Sequence, residues 1–378
     1  MKQQPASTQP GSRYRQRAPL MLMAAAALLA GLWAGLIRIG WPLPPLLPRL
    51  PADHGPLMVS GFLGTLIALE RAVALAQIRR QRLYYLAPLL AGLGAIAFFF
   101  PVPMAIPKGL GVLGALGMLI IFAVIIRMQT TTDHVVMGAG ALFWLIGNSL
   151  WLAGRPLFQV VPWWTGFLVL TIAGERLELS RVLMLTRTAR LSFLGIIGLF
   201  VVGLLLSLGA ADGGIRLAGV ALIGLGLWLF RFDIARRTVR KWGLTRYIAA
   251  CLLPGYFWLI AGGLLWAVYG AQYAAGPIYD ALLHTIFLGF VFSMIFGHAP
   301  IIVPAIVGLQ IPYTPIFYVH LALLHLSLIL RVSGDLLFLP GIRRWGGLLN
   351  EVAILLFLLV TVIVIRRGRQ RDSAPSHP

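Results

Sequence analysis

The stretch 282-LLHTIFLGFVFSMIFGHAPIIVPAI-306 contains two histidines and no other ionisable side chain. A helix rises about 1.5 Å per residue and the hydrocarbon core of a bilayer is about 30 Å thick, so this run is long enough to cross a membrane. His284 and His298 stand fourteen residues apart. At about 100° per residue this leaves them within roughly 40° of one helical face and about 21 Å apart along the axis. One helix therefore offers an imidazole near each membrane surface, both facing the same way.

The rest of the chain agrees with that reading. Of its 378 residues, 59% are hydrophobic and only 11% charged, whereas soluble domains carry about 25% charged residues. Scanning for runs of about twenty apolar residues gives segments 19–38, 55–77, 83–101, 105–127, 135–153, 157–173, 191–210, 215–232, 247–270, 280–302, 313–333 and 347–366. The expected fold is an all-α polytopic membrane protein of about twelve transmembrane helices. A single membrane domain (19–366) is flanked by cytoplasmic tails (1–18 and 367–378). With both termini inside, 23 of the 31 Lys and Arg fall on the inner side, the bias that sets topology in the bacterial inner (plasma) membrane. Arg13, Arg15 and Arg17 before the first apolar run imitate a secretory signal, but many spans follow and the run is long enough to anchor, so it reads as the first span.

A net charge of +20 would suggest a nucleic-acid partner in a soluble chain. Here the basic residues sit in short loops between apolar runs, and the expected partners are membrane lipids; anionic headgroups suit the basic loop 231–246. The lone Cys251 excludes a disulfide framework and a thiolate cluster. Any metal or cofactor must therefore be held by His, Met or carboxylate.

His54 opens the second span in "ADHGPLMVSGFLGTLIALERAVAL", and His284 lies about one turn inside the outer end of the tenth. Two imidazoles at matched depth on different helices can clasp a haem iron or share a metal ion. Packing or interfacial roles are the plainer alternative for each. His298 and His320 occupy the inner halves of spans ten and eleven. His325 is five residues beyond His320, roughly 140° around a helix, so at most one of the two joins His298. Pro300 and Pro304 either bend span ten or end it. His134, beside Asp133 in an inner loop, reads as an interfacial side chain. At the inner ends of spans two and six, "LERAVAL" and "GERLELSR" place Glu70–Arg71 and Glu175–Arg176, either as ion pairs or as a proton entry. Asn148 needs partners across helices, Trp163 and Trp164 suit an aromatic belt, and the proline-rich loop before His54 reads as a stiff outer lid.

The His at the start of span two and the "H…GF…SMI.GHAP" pattern of span ten, followed by a His-bearing span eleven, resemble the NnrS family of membrane proteins linked to nitric-oxide metabolism and to haem and copper. More remotely they resemble subunit I of haem-copper oxidases. The resemblance implies that His54 and His284 are haem ligands, with His298 and His320 as candidates for a second metal. An adjacent His-His pair and the His-x-x-x-Tyr pattern of an oxygen-reducing centre are both missing. The expected function is a haem-binding protein, with copper as a further metal, acting in the nitric-oxide response or respiratory redox chemistry with a respiratory electron donor. A proton-coupled transporter without cofactor and a non-catalytic assembly factor remain as alternatives, and whether the chain is an enzyme stays open.

Overall fold

The computed structural model describes residues 17–372, which are entirely helices, turns and loops. In chain order the helices are α1 (Ala18–Arg38), α2 (Leu50–Arg79), α3 (Arg82–Ala97), α4 (Ala105–Met128), α5 (Thr132–Leu152) and α6 (Leu157–Leu183). They continue with α7 (Arg187–Leu206), α8 (Ala211–Phe232), α9 (Gly243–Tyr269), α10 (Gly276–Ile306), α11 (Phe317–Leu336) and α12 (Pro340–Gly368). All but α3 are long and apolar enough to cross a membrane, making eleven such helices among the described residues. The protein is thus a polytopic helical membrane protein of eleven to twelve spans.

The third segment is shorter than its apolar run. Residues 98–103 leave the helix, because Pro101 and Pro103 lack an amide hydrogen and push the residues before them out of helical geometry. The tenth is longer at both ends. It begins at Gly276, whose φ of +87° turns the chain, and Pro277 fits the first helical turn. It then runs through Pro300 and Pro304 instead of ending there. At its far end Arg17 donates to the carbonyls of Ala305 and Ile306 (3.3 and 2.8 Å), which lack partners within the helix.

Short loops make consecutive helices antiparallel neighbours: α3 packs on α4, α4 on α5, α5 on α6, α7 on α8, α8 on α9 and α11 on α12. Burial separates centre from rim. In their most apolar stretches α6, α2 and α10 are 78%, 72% and 67% buried, against 33% for α4, α7 and α12. The three central helices are those that carry Glu175, His54 and His284. On the rim, exposed Leu22, Ile120, Leu227 and Leu326 present the apolar surface that lipid requires.

Asn148 is fully buried and ties four helices together. Its amide nitrogen donates to the Gly111 carbonyl (2.9 Å) and to Ser60 Oγ (3.3 Å), while its oxygen accepts from Trp164 Nε1 (2.9 Å). Trp163 and Trp164 are 1% and 0% exposed and so are core residues, correcting the expected interfacial belt. They sit in the most buried helix, where Trp163 packs edge-on against Phe143 at 5.3 Å and Trp164 has Asn148 as acceptor. Asn148→Leu leaves the indole N–H of Trp164 and the Ser60 hydroxyl unpaired; we expect a loss of about 1 kcal/mol, read as earlier thermal unfolding in detergent. Substitution of exposed Leu142 by Ile should leave unfolding unchanged.

Candidate functional site

α2 and α10 run in the same direction side by side, and both depart from α-helical geometry just after their first histidine. The π-helical segments are Leu57–Leu63 in α2 and Thr285–Phe292 in α10. A π-bulge absorbs one extra residue, so position i+8 takes the place that i+7 holds in a regular helix, about 20° from position i. The consequence is visible in both helices. His54 meets His284 with ring centroids 6.3 Å apart and planes 34° apart. Eight residues on, Phe62 meets Phe292 at 6.2 Å and 30°. His284 lies more than two turns inside α10 rather than one, because the helix starts at Gly276, yet the rings still share one depth.

Each ring is held from behind. Nδ1 of His54 donates to the Gly31 carbonyl of α1 (2.7 Å), and Nδ1 of His284 donates to its own Asp280 carbonyl (2.9 Å). These bonds assign the proton to Nδ1 and leave the Nε2 lone pair as the outward-facing atom, the arrangement usual behind metal-bound histidines. A Cβ on Gly35 would come within 3.1 Å of both the His54 ring and Glu351 Oε1. The glycine therefore lets α1 approach, and Glu351 of α12 stands beside His54.

Around the pair lies a buried ionic cluster. Arg331 grips both oxygens of Asp280 (2.7 and 2.9 Å) and donates to His284 Nε2 at 3.3 Å. Arg343 reaches Asp280 (3.5 Å) and Asp335 (2.7 Å).

At the inner end of α10 the pattern recurs. Arg176 grips both oxygens of Asp233 (2.8 and 3.1 Å) and donates to His298 Nε2 at 3.1 Å. Nδ1 of His298 donates to the Met294 carbonyl one turn back (2.7 Å). Glu70, Arg71, Glu175 and Arg176 do gather here, but they pair across helices: Arg71 bonds Glu175 and lies 3.6 Å from Glu70, while Arg176 turns to Asp233. Two Asp–Arg–His sets thus mark the two ends of one helix.

The other histidines have separate neighbours. His320 bonds the Tyr247 hydroxyl (3.0 Å) inside a box of Phe296, Phe317 and Phe357. His325 Nδ1 accepts from Trp258 Nε1 (3.1 Å). The nitrogens of His298 and His320 expected for a second metal are thus engaged by Arg176 and Tyr247 respectively.

Asp233, Asp280, Arg331, Asp335, Arg343 and Glu351 do not follow from the motifs. The signal for several was charge inside apolar sequence: "RVSGD" (331–335) and "NE" (350–351) interrupt runs where an ionisable residue needs a reason.

These features define a multi-pass helical membrane protein with a histidine pair between two central helices and ionic clusters at both ends of one of them. Residues 17–366 match the model of a domain of unknown function, DUF8744, and the chain belongs to that family. No curated protein matches it significantly.

Removing one partner of a buried ion pair strands the other charge. Arg331→Gln should destabilise the protein by about 3–5 kcal/mol. Combining it with Asp280→Asn should recover much of the loss. A double-mutant cycle on thermal unfolding in detergent measures this, and additive losses would disprove the coupling.

Proposed function

We propose that this DUF8744 protein binds haem between α2 and α10, with His54 and His284 as the residues that would hold the iron. The observation that carries the reading is the approach of two imidazoles whose Nδ1 atoms are both tied to backbone carbonyls. A metal–imidazole bond is about 2 Å, so two rings that held one ion from opposite sides would have centroids about 6 Å apart. The spacing of 6.3 Å fits. Arg331 holds Asp280 through two bonds, and its contact at His284 Nε2 is the one that an iron ion held there would replace. Arg38 and Arg331 lie within electrostatic reach of His54 and suit the carboxylates of a porphyrin.

Haem held by His54 and His284 would supply one-electron chemistry, and two protein ligands would favour electron transfer over ligand activation. The chain's own contribution is to orient both rings, exclude water and set the charge around the iron. Asp280 and Arg331 do the last of these from a position beside His284. Together with the resemblance to the NnrS family around His54 and 282–306, this favours a redox role in nitric-oxide or respiratory metabolism in the bacterial inner membrane. Copper held by the same two histidines is the variant of this reading without a porphyrin.

A second reading rests on a different observation, the repetition of the Asp–Arg–His set at both ends of α10. Ionisable groups along one buried helix mark ion and proton pathways, so a proton-coupled carrier is the alternative.

The deciding measurement is the absorption spectrum of the purified protein, oxidised and reduced, with metal analysis of the same sample. Haem bands that are lost or shifted in His54→Ala and His284→Ala, with His298→Ala unaffected, are the expected result. Copper without haem bands would select the porphyrin-free variant. A colourless, metal-free protein from cells supplied with haem and copper overturns both and leaves the carrier.

A further inference from the structure

A second constellation lies at the inner face, where the start of α5 meets the end of α6. Asp133 and His134 sit in the first turn of α5. Glu178 stands one helical turn beyond Gly174 on α6, on the same side of that helix. Gly174 is what brings the two helices together: a Cβ there would lie 2.9 Å from the Asp133 carbonyl oxygen. The close approach sets Glu178 over the Asp133–His134 turn. One donor atom from each of the three residues lies within 4.8 Å of the others.

Two observations separate this from a chance gathering of acids. Asp133 is 2% exposed, and its Oδ2 has no hydrogen-bond donor although its Oδ1 accepts from Arg181. A buried carboxylate oxygen without a donor is costly. His134 meanwhile donates from Nδ1 to the Gln129 carbonyl (2.8 Å), which leaves Nε2 as its free lone pair, 3.8 Å from that same Oδ2. The orphan oxygen and the imidazole nitrogen are separated by a gap that a hydrogen bond does not close.

We propose that Asp133, His134 and Glu178 form a binding site for a divalent transition-metal ion that clasps the inner ends of α5 and α6. One imidazole and two carboxylates suit zinc, cobalt or manganese, and the absence of sulfur disfavours monovalent copper. The two carboxylates cancel the charge of the ion. Arg181, whose side chain is 43% exposed, holds the outer oxygen of Asp133 and moderates affinity without blocking Oδ2. The site shares no residue with the histidine pair of α2 and α10 and does not rest on the haem reading.

The test uses the full-length protein, stripped of metal and titrated with cobalt(II), whose visible absorption reports nitrogen–oxygen ligation. A His284→Ala background removes any contribution from the histidine pair. The expected result is one cobalt per chain, displaced by zinc, with binding weakened about tenfold or more in His134→Ala and in Glu178→Gln. Arg181→Gln should bind more tightly, because a competing cation is gone. Zinc should raise the unfolding temperature of the parent and leave that of the two ligand variants unchanged. The substitutions lie on different helices, so that misfolding of one leaves the other to decide. Cobalt binding and zinc stabilisation that are equal in parent and variants, or absent from the parent, overturn the site.

Discussion

A guanidinium inside an apolar helix bundle must find a carboxylate, and that obligation fixes where α10 sits. Water is missing from the middle of the membrane, so each buried charge is compensated within the protein. Arg331 of α11 and Arg176 of α6 each take both oxygens of an aspartate, Asp280 and Asp233. Each also donates a further N–H to a histidine of α10. Two rigid forks, one near each membrane surface, hold the helix at both ends. Its rotation and depth follow from them, and so does the direction in which His284 looks.

The π-helical segments act on the same helix from within. With regular α-helical geometry in α2 and α10, residues eight apart would lie about 80° apart around the helix. The His54–His284 and Phe62–Phe292 contacts could not then both lie on the seam. The bulges bring both pairs into it. Backbone of this kind is common at functional sites, and here its effect is specific: it turns an imidazole pair inward while a phenylalanine pair below closes the interior behind it.

Much of this arrangement was legible in the sequence. The apolar runs and the positive bias of one side give the helical fold, because length and charge are the quantities a bilayer selects. The shared depth of His54 and His284 follows from topology alone, and the structure places the rings within contact distance. Two kinds of information were out of reach. Trp163 and Trp164 carry no mark that distinguishes a belt from a core, since the difference lies in which helices surround α6. Asp280 and Asp335 fell at or beyond the edges of the apolar runs, since hydropathy places a boundary at the first charge. The actual helices begin at Gly276 and end at Leu336, so both acids lie inside. Cross-helix pairing such as Arg71 with Glu175, or Arg176 with Asp233, depends on packing that spacing along one chain does not encode.

The two readings of the protein draw on one chemical fact. A histidine whose Nδ1 proton is committed to a backbone carbonyl presents a single lone pair at Nε2, and that lone pair serves equally to bind a metal or to accept a proton. What distinguishes the sites is the company of the lone pair. At His298 it faces Arg176 alone, with Glu70, Glu175 and Asp233 nearby, a setting with carboxylates to relay protons and no second imidazole in contact. At His284 it faces Arg331 and also lies beside a second, similarly anchored ring. An ion that takes ligands from opposite sides requires two such rings, whereas a proton relay needs only one acceptor at each depth. The pairing of His54 with His284, more than the presence of either, is therefore the feature on which the metal reading of the outer end of α10 rests, and the inner end has no second imidazole in contact.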